Sequence, residues 1–260
     1  MDILITQDYQ HMSKVAAGLV SRQLQKKPST VLGLPTGSTP IGLYKQLRKL
    51  HRQGLDFSRV STFNLDEYLG IGPDHPQSYR RFMDEHLFDH VNLAPEHIHI
   101  PQGDTDDPQV ACHQYDQALV ASGGIDLMVV GVGVNGHIGF NEPAEHLFYG
   151  TSVVDLTSET IQVNADKFFD GDIEQVPKQA ISMGMASIMK SRRVILLASG
   201  PSKHEAVMAA MTKGITTRNP MSILCTHPQL TVVLDMEVWG EGIPHLPPGT
   251  RVTRIGADAR

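Results

Sequence analysis

Hydrophobic positions along this chain repeat with two periods. Short apolar runs rich in Val, Ile and Leu at 3–5, 30–35, 60–65, 125–130, 193–198 and 230–234 read as buried strands. Between them, apolar residues spaced three and four apart predict amphipathic helices. One spans 9–27 through Met12, Val15, Ala16, Leu19, Val20 and Leu24 and is ended by Pro28. A second follows Pro40 through Leu43, Tyr44, Leu47 and Leu50, and a third covers 77–90 through Tyr79, Phe82, Met83, Leu87 and Phe88. Residues 108–122 form a fourth, closed by Gly123 and Gly124, and a fifth runs through Ala206, Val207, Ala210 and Met211. Residues 151–156 alternate like a strand, whereas the Met-rich stretch 180–189 has helical spacing and reads as core filler.

Strands alternating with helices predict an α/β fold: an open, mostly parallel, Rossmann-like sheet with helices on both faces. The periodicity supports one domain over 1–238. Within it, 157–180 is polar and broken by Asp170-Gly-Asp172 and Pro177, as expected of a lid. From Trp239 the pattern stops, so 239–260 is expected to be a loosely attached tail. The net charge of −6 argues against nucleic acid or an anionic membrane as the main partner. Two distant cysteines, no signal-peptide pattern and no long apolar run point to a cytoplasmic protein.

Chemistry gathers where the strands end. The run at 125–130 empties into Gly131, Gly133 and Gly136, followed by Asn135, His137 and Glu142. A His between an amide and a carboxylate can be held in one tautomer for proton transfer, although a Gly-rich turn with a structural His reads the same way. After the second strand, Thr36-Gly37-Ser38-Thr39-Pro40 places small residues before a helix, with Thr39 as the expected N-cap. Such a loop is either a capped turn or an anion site; without a Walker lysine it suits a single phosphate better than a nucleotide. Ser199-Gly200-Pro201-Ser202-Lys203 opens a second helix and adds a cation. Asp66 and Glu67 follow the third strand, and alternation allows at most one of them to face a given pocket. His97 and His99 have no third ligand nearby in sequence and read as part of a short strand.

Taken together, Leu32-Gly-Leu-Pro-Thr-Gly-Ser-Thr-Pro40, Phe63-Asn-Leu-Asp-Glu-Tyr68, Gly133-Val-Asn-Gly-His-Ile-Gly-Phe-Asn-Glu-Pro143 and Ser199-Gly-Pro-Ser-Lys203 resemble the glucosamine-6-phosphate deaminase/isomerase family, in family order. The resemblance runs from about Asp2 to Val238. It implies conversion of D-glucosamine 6-phosphate and water to D-fructose 6-phosphate and ammonia, with no metal or organic cofactor and a small-molecule partner. It implies that His137 opens the sugar ring, that Glu142 orients His137, and that Asp66 carries a proton from C2 to C1. Asn135 stands where some members have Asp and others Asn. Gly37, Ser38, Thr39 and Lys203 would hold the 6-phosphate. Lys167 aligns with a family Arg that also meets it, beside an inserted residue and without Arg's bidentate geometry.

The allosteric members use Ser, Arg, Lys and Thr to bind N-acetylglucosamine 6-phosphate. Glu145, Ser152, Val154 and Asp155 stand at those places here, so no activation is expected. A galactosamine-6-phosphate deaminase, a 6-phosphogluconolactonase and a non-catalytic sugar-phosphate sensor are the competing readings. Homo-oligomers are compatible with the resemblance.

Overall fold

In the computed structural model the described residues are 1–242 and 244–256, excepting the side chains of Val163, Lys167 and Phe168. The strands are β1 (Asp2–Thr6), β2 (Val31–Leu34), β3 (Ser61–Asn64), β4 (Asp66–Tyr68), β5 (Ile98–His99), β6 (Leu127–Gly131), β7 (Ser152–Asp155), β8 (Gln179–Ser182), β9 (Val194–Ala198), β10 (Leu230–Asp235) and β11 (Arg251–Arg254). The principal helices are α1 (Tyr9–Lys26), α2 (Ile41–Arg52), α3 (Tyr79–His86), α4 (Pro108–Ala121), α5 (Ser158–Phe168), α6 (Met185–Met189) and α7 (His204–Thr212).

Eight strands form one sheet in the order β11-β1-β10-β9-β6-β2-β3-β5. Every pairing in it is parallel. Its central strands are buried on both faces, which explains their continuous apolar runs. Alternate side chains serve opposite layers: Ile195 and Leu197 pack with α1 and α2 through Met12, Val20, Leu43 and Leu47. Val194 and Leu196 pack with α4, α6 and α7 through Leu119, Ile188 and Val207. Burying such an aliphatic side chain fully contributes about 1.5–3 kcal/mol, so both layers are needed to hold the sheet. Among the described residues, no helix is long and apolar enough to cross a membrane.

Three features depart from the sequence reading. Residues 179–182 form strand β8, not helix, and only Met185–Met189 is helical. The reason is tertiary: β8 pairs antiparallel with both β4 and β7 in a second, three-stranded sheet. The tail does not hang loose throughout, because Arg251–Arg254 adds to β1 in parallel. All four β11 residues are exposed, so backbone pairing rather than an apolar pattern places it. The third helix is shorter than 77–90: α3 starts at Tyr79, where Ser78 accepts from Arg81 N, and ends at His86.

Candidate active site

The chain runs outward from β2 to β3 on one side of the sheet and from β6 to β9 on the other. That reversal is the topological switch point at which open α/β sheets bind ligands. Here the carboxyl ends of β9, β6, β2 and β3 surround a cavity of about 350 Å³. Gly37, Ser38, Thr39, Asp66, Asn135, His137 and Lys203 all line it. Glu142 stands behind His137 instead of in the wall. Lys167 belongs to α5, and its side chain lies outside the described residues.

Around His137 the loop after β6 builds a hydrogen-bonded knot. Asn135 Oδ1 accepts from His137 N at 3.1 Å, and Asn135 Nδ2 donates to Glu142 Oε2 at 2.8 Å. Thr160 Oγ1, from α5, donates to Glu142 Oε1 at 2.9 Å. His137 Nδ1 lies 3.1 Å from Glu142 Oε1, within ion-pair reach although off the alignment of a good hydrogen bond. The contact turns Nδ1 toward the carboxylate, so Nε2 is the ring nitrogen not engaged by Glu142. Burial pushes the Glu142 carboxyl up, but the His137 contact and the Asn135 and Thr160 donors outweigh it and hold the group below its usual range. Gly133 is needed here because any Cβ at that position would overlap the His137 ring.

The adjacent carboxylates have separate tasks. Glu67 turns away and caps α3, accepting from Tyr79 N at 2.9 Å and Arg80 N at 3.0 Å, so its charge meets the helix dipole. Asp66 turns into the cavity. Burial, and then the charge of Glu67, raise its carboxyl to about 8. Strand β8 fixes this group relative to His137. It pairs with β4 at Asp66↔Ser182, while Ser182 Oγ accepts from Phe140 N at 3.2 Å and Met183 O accepts from Asn141 Nδ2 at 2.9 Å. The small sheet therefore braces Asp66 and the loop that carries His137 from one side.

On the other side of the cavity, Thr36–Thr39 lead into α2. The N-cap position is Pro40 and the first helical residue Ile41, one place later than expected, and no side chain caps the helix. The loop hydroxyls are thus not spent on capping. The Ser199–Lys203 loop is held by Asp235 Oδ2, which accepts from Ser199 Oγ at 2.5 Å and Gly200 N at 3.1 Å. Lys203 reaches the cavity from the turn before α7.

Three wall residues are not apparent from the sequence. Tyr79, expected in the core, lines the cavity and stacks on Phe140 with centroids 6.1 Å apart. Thr160 and Asn164 enter from α5, and Asn164 Nδ2 is buried with no hydrogen-bond partner among the described residues. Helical spacing could not reveal them, since it depends on which end of each helix meets the sheet edge.

The sequence matches the family described as glucosamine-6-phosphate isomerases/6-phosphogluconolactonase over residues 7–233. The chain belongs to this family. Within it, a protein named glucosamine-6-phosphate deaminase from Thermoanaerobacter pseudethanolicus is 49% identical over 91% of this chain and 93% of its own length. A solved structure described as a monomeric glucosamine-6-phosphate deaminase superposes with a TM-score of 0.89 at 40% identity, over 92% of this chain and 99% of that one. The 6-phosphogluconolactonase from Thermotoga maritima shares the fold, with a TM-score of 0.71 at 17% identity over 90% of this chain and 99% of that one.

Proposed function

We propose that this protein is a glucosamine-6-phosphate deaminase, releasing ammonia and D-fructose 6-phosphate from D-glucosamine 6-phosphate and water. The observation that carries the reading is the placement of Asp66 and of His137, backed by Glu142, in one cavity with two loops suited to a phosphate. The near-full-length likeness to proteins of that name supports it.

The phosphate is held by backbone N–H groups of Gly37, Ser38 and Thr39 and by the Lys203 ammonium, and its binding energy positions the reacting end. His137 Nε2 takes the anomeric hydroxyl proton and delivers it to the ring oxygen, opening the sugar. Glu142 stabilises the imidazolium formed in passing. Asp66, as carboxylate, removes the C2 proton while O1 takes up a proton from the substrate ammonium, giving an enolamine; Asp66 then returns its proton at C1, leaving a protonated ketimine at C2. Water adds to that carbon and ammonia departs. Burial makes Asp66 a stronger base than a solvated carboxylate, and the substrate ammonium favours its ionised form once bound. Thr160 links α5 to Glu142, so closure of the lid over the substrate also completes the support of His137. We place the enzyme in the cytoplasm.

Ammonia release from purified protein, with glucosamine and galactosamine 6-phosphates in parallel, tests the proposal. Release from the gluco sugar that is lost in Asp66→Asn is the expected result. Release only from the galacto sugar would correct the substrate. Absence of release from both, with hydrolysis of 6-phosphogluconolactone, would overturn the reaction.

A further inference from the structure

Tyr9 is the first residue of α1 and lies outside the cavity wall. Its phenol nevertheless reaches the loop that precedes α2. Tyr9 OH donates to Ser38 O at 3.1 Å and accepts from Gly42 N at 2.7 Å. The approach depends on Gly42, where a Cβ would come within 3.0 Å of Tyr9 Cζ and closer still to Ser13. At the other end of the loop, the buried Tyr44 hydroxyl donates to Pro35 O.

These bonds determine which way the loop's dipoles point. All peptide bonds here are trans, so the C=O of one residue and the N–H of the next point in opposite directions. Pinning Ser38 O toward Tyr9 of α1 turns the Thr39 N–H away from α1, and pinning Pro35 O toward Tyr44 of α2 turns the Thr36 N–H away from the Tyr44 hydroxyl. Both Thr36 and Thr39 line the cavity. A carbonyl oxygen turned inward instead would repel an anion at that place.

We propose that Tyr9 is a positioning residue for phosphate recognition: its phenol holds the Ser38–Thr39 peptide with the donor facing the cavity. The inference rests on the phosphate assignment made under the proposed function, but not on the reaction.

Tyr9→Phe keeps the ring and removes the hydroxyl. Loss of one neutral hydrogen-bonded clamp predicts a KM for glucosamine 6-phosphate raised roughly 3- to 10-fold. The inhibition constant of inorganic phosphate is expected to rise by the same factor, while kcat stays within about twofold, because groups at the reacting end are untouched. A merely structural role would lower the melting temperature and the active fraction and leave KM unchanged. Ser13→Ala, which removes a neighbouring hydroxyl bonded only to Tyr9 O within α1, is the control and should match wild type. Unchanged KM and phosphate inhibition in Tyr9→Phe would overturn the proposal. If wild type turned over no amino-sugar phosphate, the reaction would be wrong, and calorimetric titration of both proteins with inorganic phosphate would still decide. Weaker phosphate binding by the variant supports the clamp; equal binding, or none by wild type, overturns it.

Discussion

Asn135 Nδ2 donates a hydrogen bond to Glu142 Oε2 at 2.8 Å while Asn135 Oδ1 accepts one from the backbone N–H of His137 at 3.1 Å. One neutral side chain thereby fixes both members of the His137–Glu142 pair. A hydrogen bond to a charged group contributes about 1.5–3 kcal/mol, so Asn135→Ala is expected to lower kcat/KM roughly 10- to 100-fold. Steady-state kinetics check this, and a variant within twofold of wild type would show that Thr160 alone suffices to orient Glu142.

The base role proposed for Asp66 requires it ionised, and burial together with the Glu67 charge puts its carboxyl at about 8. For the free enzyme, kcat/KM is therefore expected to fall about tenfold per pH unit below about pH 8. In the complex the substrate ammonium favours the carboxylate, so the acid limb of kcat should lie at lower pH. Profiles of both parameters test this, with a separate titration of the sugar amine to remove its own contribution. Coincident limbs would argue against the cation effect.

The same shift has a consequence for stability, of the opposite sign to the usual aspartate. In the unfolded chain Asp66 ionises near pH 3.9, whereas the folded state keeps its proton to about 8. Between these values folding takes up a proton, so stability declines as pH rises and levels off above about pH 8. Asp66→Asn cannot ionise. Its stability should exceed that of wild type by a margin that widens from pH 5 to 8, on the order of a few kcal/mol at the upper end, read as a growing difference in melting temperature. A constant margin would mean that the carboxyl is not shifted.

N-acetylglucosamine 6-phosphate is expected to leave the kinetics unchanged. Asp155, at the end of β7, accepts from Gln179 Nε2 at 2.8 Å, and Glu145 is exposed near His146. Two carboxylates at the aligned positions oppose a phosphate there. Saturation curves with and without the compound check this; a lowered KM or a loss of sigmoidicity would contradict it.

The parallel sheet was legible because β2, β6 and β9 are buried on both faces, and a strand of that kind must be apolar at successive positions. The site was legible where loops begin directly at strand ends, as at Gly37–Thr39 and Asn135–His137. Alternation showed that Asp66 and Glu67 part company, but not which of them turned inward. That choice is made by α3, whose first-turn N–H groups come from Tyr79 and Arg80, distant in sequence. Strand β8 was hidden for a similar reason: Ala180 and Ile181 are apolar neighbours with no helical partner, and only β4 and β7 make them a strand. Tyr79 reads as core because its ring does pack on Phe140, and both rings also line the cavity.

Strand β11 gives the sheet its outer boundary. Without it, β1 would present an unpaired edge flanked by Ile3 and Ile5, the kind of template on which a second molecule can add a strand. With it, the outermost strand is four residues long and carries Arg251 and Arg254, and Arg251 is tied to Asp2 by bonds of 2.7 and 2.9 Å. Short, cationic edges resist strand addition. A chain cut before residue 250 should keep its catalytic cavity and lose colloidal stability, aggregating at concentrations at which the full chain stays clear.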